Sequence, residues 1–237
     1  MSSETLTKAE LQQRLQLIIE QCRLVIAPDQ IFEVRALNVH HGGRPHIEAG
    51  FYDCDHLKEM AKDVLRLTRW AKGVYFTLNP LNPDLLARRA NRIAWAGEGE
   101  LSKDKDILAR RWLLVDADPI RDPLISSTDE EKACARDTIL EVREHLRARS
   151  WPEPFFADSG NGYHLLYRVD FPVNDGGQVE GLLRALAARF DNEHVKIDQS
   201  VFNPSRICKL PGTLARKGDS IKTRPHRWAR LLEGPGL

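Results

Sequence analysis

Two acidic side chains close a run of apolar residues at Trp112–Pro119, which reads WLLVDADP. The apolar run predicts a core β-strand, and successive side chains of a strand point to opposite faces of its sheet. Asp116 and Asp118 are therefore expected on the same face. Two carboxylates held side by side repel each other unless a cation lies between them, so this pair indicates a metal site.

A third acid lies in the stretch KIDQSVFNPSRICKLPGT at 196–213. Asp198 falls at the end of a short predicted strand, which we expect in the same sheet as Asp116 and Asp118. Three carboxylates on one face suit hard divalent cations such as Mg²⁺ or Mn²⁺. A pair of such ions supports phosphoryl transfer, because they activate the attacking oxygen and stabilise the leaving one.

Groups that bind phosphate accompany these acids. The stretch DSGNGYH at 158–164 predicts a tight hairpin, in which glycines such as Gly160 let the backbone approach a ligand. His164 on this hairpin, with Arg206 and Lys209 further on, would donate to the phosphates of a triphosphate. Acids for metals and bases for phosphates together indicate a nucleoside triphosphate site.

The elements that must position these residues fall into two halves. Residues 1–100 predict an N-terminal α/β lobe, and the polar segment at 97–106 is the best candidate boundary. Residues 101–237 predict the order β-α-β-β-α-β, in which Thr128 and Glu131 form a capping box for the first helix. We therefore expect an α+β protein whose second lobe is ferredoxin-like, or RNA-recognition-motif-like, with one face of its sheet free of helices.

Composition limits the class of protein. The chain has 237 residues, 42% of them hydrophobic and 29% charged, with a formal net charge of +1, so a nucleic-acid surface would have to be local. Its four cysteines form no CxxC pair, which predicts reduced thiols, no disulfide framework and no zinc site. The polar stretch MSSETLTKAELQQRLQ at 1–16 predicts no signal peptide, and no apolar run reaches the length needed to span a membrane. We expect a soluble, cytoplasmic protein with no membrane partner.

Three segments of the sequence resemble the motifs of the archaeo-eukaryotic primase superfamily: VDADP, SGNGYH and IDQSVFNPSRICKLPGT. The residues of these motifs are most similar to those of primase-polymerases from plasmids, prophages and mobile elements. The first half adds YFTLNPLNPDLLARRANR and SKDKDI, which look like the lead-in to the first motif. The likeness covers nearly the whole chain, although the first motif is often Asp-x-Glu in that superfamily and is Asp-x-Asp here.

The resemblance implies a DNA primase-polymerase that joins ribo- or deoxynucleoside triphosphates to a primer 3′-hydroxyl or to a second nucleotide. It implies single-stranded or primed DNA as template, two Mg²⁺ or Mn²⁺ ions, and a helicase domain or subunit as partner. Asp116, Asp118 and Asp198 would bind the metals. The nucleotide-binding residues would be Ser159, Gly160, His164, Arg206, Lys209 and, from the first lobe, Asn79.

Other interpretations remain open at the level of the sequence. A metal-dependent nuclease or a replication initiator could use three acids, although a nuclease has little need for a separate set of triphosphate-binding bases. A nucleic-acid-binding module on the same sheet is a further alternative, but such sheets usually expose aromatic side chains rather than acids. The histidines at 40, 41 and 46 are interpreted as loop residues, because no acid or cysteine is expected to converge on them.

Overall fold

The computed structural model describes residues 7–237, which form two five-stranded antiparallel sheets, a two-stranded one and four α-helices. The helices are α1 Lys8–Val25, α2 Leu57–Thr68, α3 Asp129–Arg147 and α4 Gln178–Phe190. The strands are β1 Phe32–Val39, β2 His46–Tyr52, β3 Gly73–Thr77, β4 Ala94–Trp95, β5 Arg110–Pro119, β6 Phe155–Asp158, β7 Tyr163–Phe171, β8 Val195–Ile197, β9 Ile207–Lys209, β10 Leu214–Ala215, β11 Arg227–Trp228 and β12 Arg230–Glu233. The mixed α+β architecture predicted from the sequence is confirmed.

The first sheet has the order β4-β2-β1-β3-β9. Helix α2 packs against it, and α1 packs on α2. Thr7 begins α1 with a capping box, because its hydroxyl accepts the amide hydrogen of Glu10 while the Glu10 carboxylate accepts that of Thr7. Apolar residues recur along α2 at helical spacing, and this face is buried against β1 and β3. The expected hairpin between β1 and β2 is present, with Phe32 opposite Tyr52.

The second sheet has the order β12-β6-β7-β5-β8. Four of its strands and two helices follow one another along the chain as β5-α3-β6-β7-α4-β8, which is the predicted order β-α-β-β-α-β. Thr128 and Glu131 cap α3 as expected. Both helices pack on one face of this sheet, so the face that carries Asp116 and Asp118 is left to meet the first sheet.

One strand joins the two halves of the chain. β9 follows β8 in sequence, yet it pairs with β3 of the first sheet and not with the second, so that Tyr75 lies opposite Lys209. A single apolar core runs through both sheets, and the Trp112 indole donates to the Val25 carbonyl across it. The chain therefore returns to its N-terminal half to complete the space between the sheets. None of the helices that the structure describes is both long and apolar enough to cross a membrane.

Candidate active site

The three aspartates come together at the middle of the second sheet. Asp116 and Asp118 lie on β5, the strand between β7 and β8, and both side chains reach the same cleft. Asp198 directly follows β8, and its backbone amide donates to the Asp116 carbonyl at 2.8 Å. Its carboxylate also lines the cleft, with Oδ1 accepting the Ser200 amide at 2.8 Å to begin a 3₁₀ turn. The period of the strand thus places the acids as the sequence predicts.

The site concentrates negative charge. Burial and the neighbouring Asp116 carboxylate raise the pKa of Asp118 to about 6, against the attraction of Lys217, Arg121 and His164. Oδ1 of Asp116 is buried and makes no well-formed hydrogen bond within the described residues, and Nε2 of His164 lies 3.4 Å from it. A buried carboxylate oxygen without a donor is strongly unfavourable, so the pair is suited to an added cation.

Glycine is required at the hairpin that approaches these acids. A Cβ at Gly162 would clash with the Ala117 carbonyl and lie 2.6 Å from Oδ1 of Asp118. Gly160 adopts φ +96°, in the left-handed region, and its space is limited by Ala215. Ser159 closes the turn, because its Oγ accepts the Gly162 amide at 3.0 Å. The hairpin between β6 and β7 therefore lies directly against the acidic strand.

His164 connects the acids to the first sheet. It lies opposite Asp116 in the β5–β7 ladder, and its Nε2 is 3.4 Å from Oδ1 of Asp116. Its Nδ1 is 3.4 Å from the sulfur of Cys208 on β9. Burial disfavours the charged imidazole, but the Asp116 carboxylate and the Cys208 contact outweigh it and raise the pKa of His164 well above its ordinary value. The ring is thus held between two strands of different sheets.

A buried lysine faces the same space from the first sheet. Lys209 is 6% exposed, donates to the Leu214 carbonyl at 3.0 Å, and lies 5.2 Å from the centre of the Tyr75 ring. Burial lowers the pKa of Lys209 to about 7. The pKa of Tyr75 is raised to about 12 by burial and by Asp116 and Asp118. Lys209 can therefore change its charge near neutral pH, in response to an anion that enters the cleft.

The cleft between the two sheets has a volume of about 440 Å³, within the range of roughly 300–1,000 Å³ that is typical of small-molecule sites. The second sheet supplies the acids and His164. The first sheet and its flanking segments supply basic side chains: Lys72, Arg206, Lys209, Arg216 and Lys217. The cleft is therefore lined by acids from one sheet and by bases from segments around the other.

Seven of the nine residues predicted from the sequence line this cleft: Asp116, Asp118, Asp198, Ser159, His164, Arg206 and Lys209. Gly160 shapes the hairpin behind the cleft wall and is not part of its lining. Asn79 is buried elsewhere: its Oδ1 accepts the backbone amides of Arg111 and Trp112, and its Nδ2 donates to the Pro204 carbonyl. Asn79 thus fastens β5 and the segment before β9 to the end of β3.

Sequence reasoning missed Lys72, Tyr75, Arg216 and Lys217, which the structure adds to the cleft. No local motif marks them, because they reach the site through the pairing of β3 with β9 and through the segment after β10. The sequence offered one indication for Lys217, which follows another basic residue, Arg216, in ARKGD at 215–219.

The donor set fits divalent metal ions. Asp116, Asp118 and Asp198 offer carboxylate oxygens, the ligands that Mg²⁺ and Mn²⁺ prefer. The raised pKa of Asp118 and the lack of a well-formed hydrogen bond to Oδ1 of Asp116 within the described residues both favour positive charge at this site beyond that of His164. The three aspartates are the residues of this chain that could hold the ions.

The interpretation of the first-lobe histidines as plain loop residues is wrong in one respect. Glu48 converges on two of them, with Oε1 at 3.1 Å from Nε2 of His41 and 3.3 Å from Nε2 of His46. Glu48 and His46 are two residues apart on β2, so they share a face of the strand. That spacing was visible in the sequence; the approach of His41 depends on the turn.

Comparison with known proteins gives a likeness of fold. No protein-family model matches the sequence, and no curated protein shows significant sequence similarity. The polymerase domain of Mycobacterium tuberculosis Ligase D, solved in complex with DNA, is similar at a TM-score of 0.50 and 16% identity over 93% of this chain and 80% of that one. At this identity the match shows a shared fold.

Two structures of primase RepB′ are also similar, with lower TM-scores. One matches at 0.49 and 14% identity over 94% of this chain. The other, its catalytic domain in complex with initiator DNA, matches at 0.46 and 16% identity, again over 94% of this chain and 86% of that one. The chain spans 57% of the first RepB′ structure.

Proposed function

We propose that this protein is a DNA primase-polymerase, which joins nucleoside triphosphates to a primer 3′-hydroxyl or to a second nucleotide on a DNA template. The observation that carries the proposal is the cleft between the sheets, in which three aspartates share one space with five basic side chains. Acids that bind metals and bases that bind phosphates are the two requirements of metal-dependent nucleotidyl transfer. The fold shared with a polymerase domain solved with DNA supports the same conclusion.

Two Mg²⁺ or Mn²⁺ ions bound by Asp116, Asp118 and Asp198 would supply charge stabilisation for the attacking and leaving oxygens. The protein's own groups orient the nucleotide. Lys209 and Arg206 bind the phosphates, and a triphosphate at Lys209 favours the charged form of that lysine. His164, held beside Asp116, lines the same space. Placement of the reacting atoms by such contacts contributes to rate as well as to affinity.

The finer assignments belong to this proposal. We place the chain in the archaeo-eukaryotic primase superfamily, near the primase-polymerases of mobile elements, on the motifs at Asp116, His164 and Asp198. The strand order β6-β7-β5-β8, with α3 and α4 on one face, supports an RNA-recognition-motif-like description of residues 101–237, behind an N-terminal lobe of residues 1–100. A helicase domain or subunit as partner and a cytoplasmic location are part of the same proposal.

The test is incorporation of labelled nucleotides with Mg²⁺ or Mn²⁺, both on a primed template and on bare single-stranded DNA. Wild type is compared with Asp116→Asn/Asp118→Asn. A matched control is Asp170→Asn, an exposed aspartate on β7 outside the cleft. The proposal expects products on both substrates from wild type and the control, and none from the double variant.

Each of the other possible results would indicate a different function. Extension of the primer without products on bare DNA would restrict the function to polymerisation. Cleavage of the DNA, lost in the double variant, would establish a nuclease instead. DNA binding that is equal in wild type and the double variant, without incorporation or cleavage, would establish a binding module.

A further inference from the structure

A second group of metal-ligating side chains lies in the first lobe, at the connection between β1 and β2. Nε2 of His41, Nε2 of His46 and a carboxylate oxygen of Glu48 all lie within 4.8 Å of one another. Glu48 is buried within the sheet, whereas the histidines are partly exposed. Among the residues from 7 to 237 this is the one group of three or more such side chains gathered so closely.

The hydrogen bonds of His46 determine which of its nitrogens carries a proton. Its Nδ1 lies 3.3 Å from the Arg44 carbonyl oxygen. A carbonyl oxygen only accepts, so Nδ1 is the donor. In the neutral ring, Nε2 then directs its lone pair at Oε1 of Glu48, 3.3 Å away. Two acceptors facing each other repel unless a proton or a metal ion lies between them.

The surroundings hold the three ligands in place. Histidines that bind metals commonly donate their other ring nitrogen to a backbone carbonyl, as His46 does to Arg44. The ring of His41 lies 5.2 Å from that of Trp70 at the end of α2. Arg66 is 3.6 Å from Oε2 of Glu48, on the carboxylate oxygen that the histidines do not contact.

The geometry and donor types indicate zinc. Zinc–ligand bonds of about 2.0–2.1 Å at tetrahedral angles separate neighbouring donors by about 3.3 Å. The two observed nitrogen-to-oxygen distances to Glu48 are 3.1 and 3.3 Å. Two imidazoles and one carboxylate suit Zn²⁺, whereas Mg²⁺ and Mn²⁺ favour sites built from oxygen alone.

We propose that Nε2 of His41, Nε2 of His46 and Oε1 of Glu48 bind one Zn²⁺ ion, with a fourth position left for water. The site is separate from the aspartates of the cleft and does not depend on the proposed polymerase activity. It joins both ends of the connection at 40–45. Because Leu37 and Asn38 just before that connection line the cleft, zinc would fix the position of the loop at the cleft rim.

The test uses the full chain in the Asp116→Asn/Asp118→Asn/Asp198→Asn background, so that the cleft acids do not contribute. Chelator-treated protein is dialysed against Zn²⁺, and bound metal is measured; Co²⁺ is then substituted and its visible absorption recorded. One ion per chain is expected. His46→Ala and Glu48→Gln should each weaken binding by at least about 10-fold, while His40→Ala, a neighbouring exposed histidine, retains it.

Thermal unfolding with and without Zn²⁺ separates binding from folding defects. Zinc should raise the Tm of the parent protein and of His40→Ala, and leave that of His46→Ala unchanged. If a variant does not fold, His46→Gln and His41→Gln replace it. The absence of bound zinc in the parent, or full binding in His46→Ala and Glu48→Gln, would overturn the proposal and leave only side-chain contacts between the histidines and Glu48.

Discussion

The two large sheets bring opposite charges to the cleft they share. The second sheet brings Asp116, Asp118 and the nearby Asp198, and burial drives Asp118 toward its neutral form. The first sheet brings Lys209, and burial drives that side chain toward its neutral form. Burial acts against the charged state on both sides. The comparison shows that burial favours the neutral forms of both Asp118 and Lys209 in the free protein. Under the proposed function, metal ions would stabilise the charged carboxylate and a triphosphate would stabilise the charged lysine.

The largest expected effect comes from the acidic side. Asp116→Asn/Asp118→Asn should reduce nucleotide incorporation by roughly 10³-fold or more, because metal and charge stabilisation of the transferred phosphoryl group is lost. Steady-state incorporation assays measure this. Binding of template DNA should change little. A double variant that keeps a tenth of wild-type activity would contradict a catalytic role for these acids.

Asp118 should also destabilise the metal-free protein. Because the pKa of Asp118 is raised to about 6 in the folded state, the native protein binds more protons than the unfolded chain from about pH 4 to 6, and stability falls as pH rises through that window. Asp118→Asn should therefore raise the unfolding free energy at pH 8 by about 3 kcal/mol. Denaturant titrations at pH 5 and pH 8 check this, with Asp170→Asn as the control.

The second largest effect on activity should come from the hairpin that holds the acids in place. In Gly162→Ala the added Cβ clashes with the Ala117 carbonyl and crowds Asp118. A shift of about 1 Å in a catalytic group costs on the order of 10²-fold in rate. Gly181→Ala on α4 is the control, since nothing lies within 4 Å of its added Cβ. Equal activity of the two variants would show that the close approach is not needed.

On the basic side, Lys209→Met should raise the KM for nucleotide by roughly 10–100-fold, the worth of a hydrogen bond to a charged group. Lys222→Met, at an exposed position, is the control. In wild type the KM should rise as the pH passes about 7, because the free lysine loses its proton there. A KM that depends on pH equally in Lys209→Met would assign the titration to another group.

The pH dependence of the unfolding free energy tests the lowered pKa of Lys209 independently. Its pKa of about 7 in the folded state lies below the value of about 10.4 in the unfolded chain. The unfolded chain thus binds more protons between these values, so this residue makes the protein more stable as pH rises from 7 toward 10. Denaturant titrations should show that increase in wild type relative to Lys209→Met.

The smallest effect should come from the contact that joins the two sides. Cys208 on β9 lies 3.4 Å from Nδ1 of His164, and its loss should lower activity by roughly 2–10-fold, as expected for one modest hydrogen bond. Cys208→Ser keeps an acceptor at that place and should retain more activity than Cys208→Ala. Cys134→Ala on α3 is the control. Equal loss in the serine and alanine variants would point to packing as the cause.

The sequence by itself determined the local features. The alternation of a strand placed Asp116 and Asp118 on one face, and the Thr128–Glu131 pair marked where α3 begins. Gly160 and Gly162 indicated the hairpin at 159–162. Each of these depends on residues within a few positions of one another, so elementary geometry suffices to predict them.

Only the tertiary structure decided what meets the acids. The return of β9 to the first sheet brings Lys209 to the cleft beside Tyr75 and Cys208 against His164. The turn before β2 brings His41 to Glu48. The role predicted for Asn79 remains a prediction, while the structure shows its side chain fully engaged with backbone groups. These outcomes depend on pairing between residues far apart in the chain. Such pairing is selected by the packing of a whole core, which no short stretch of sequence encodes.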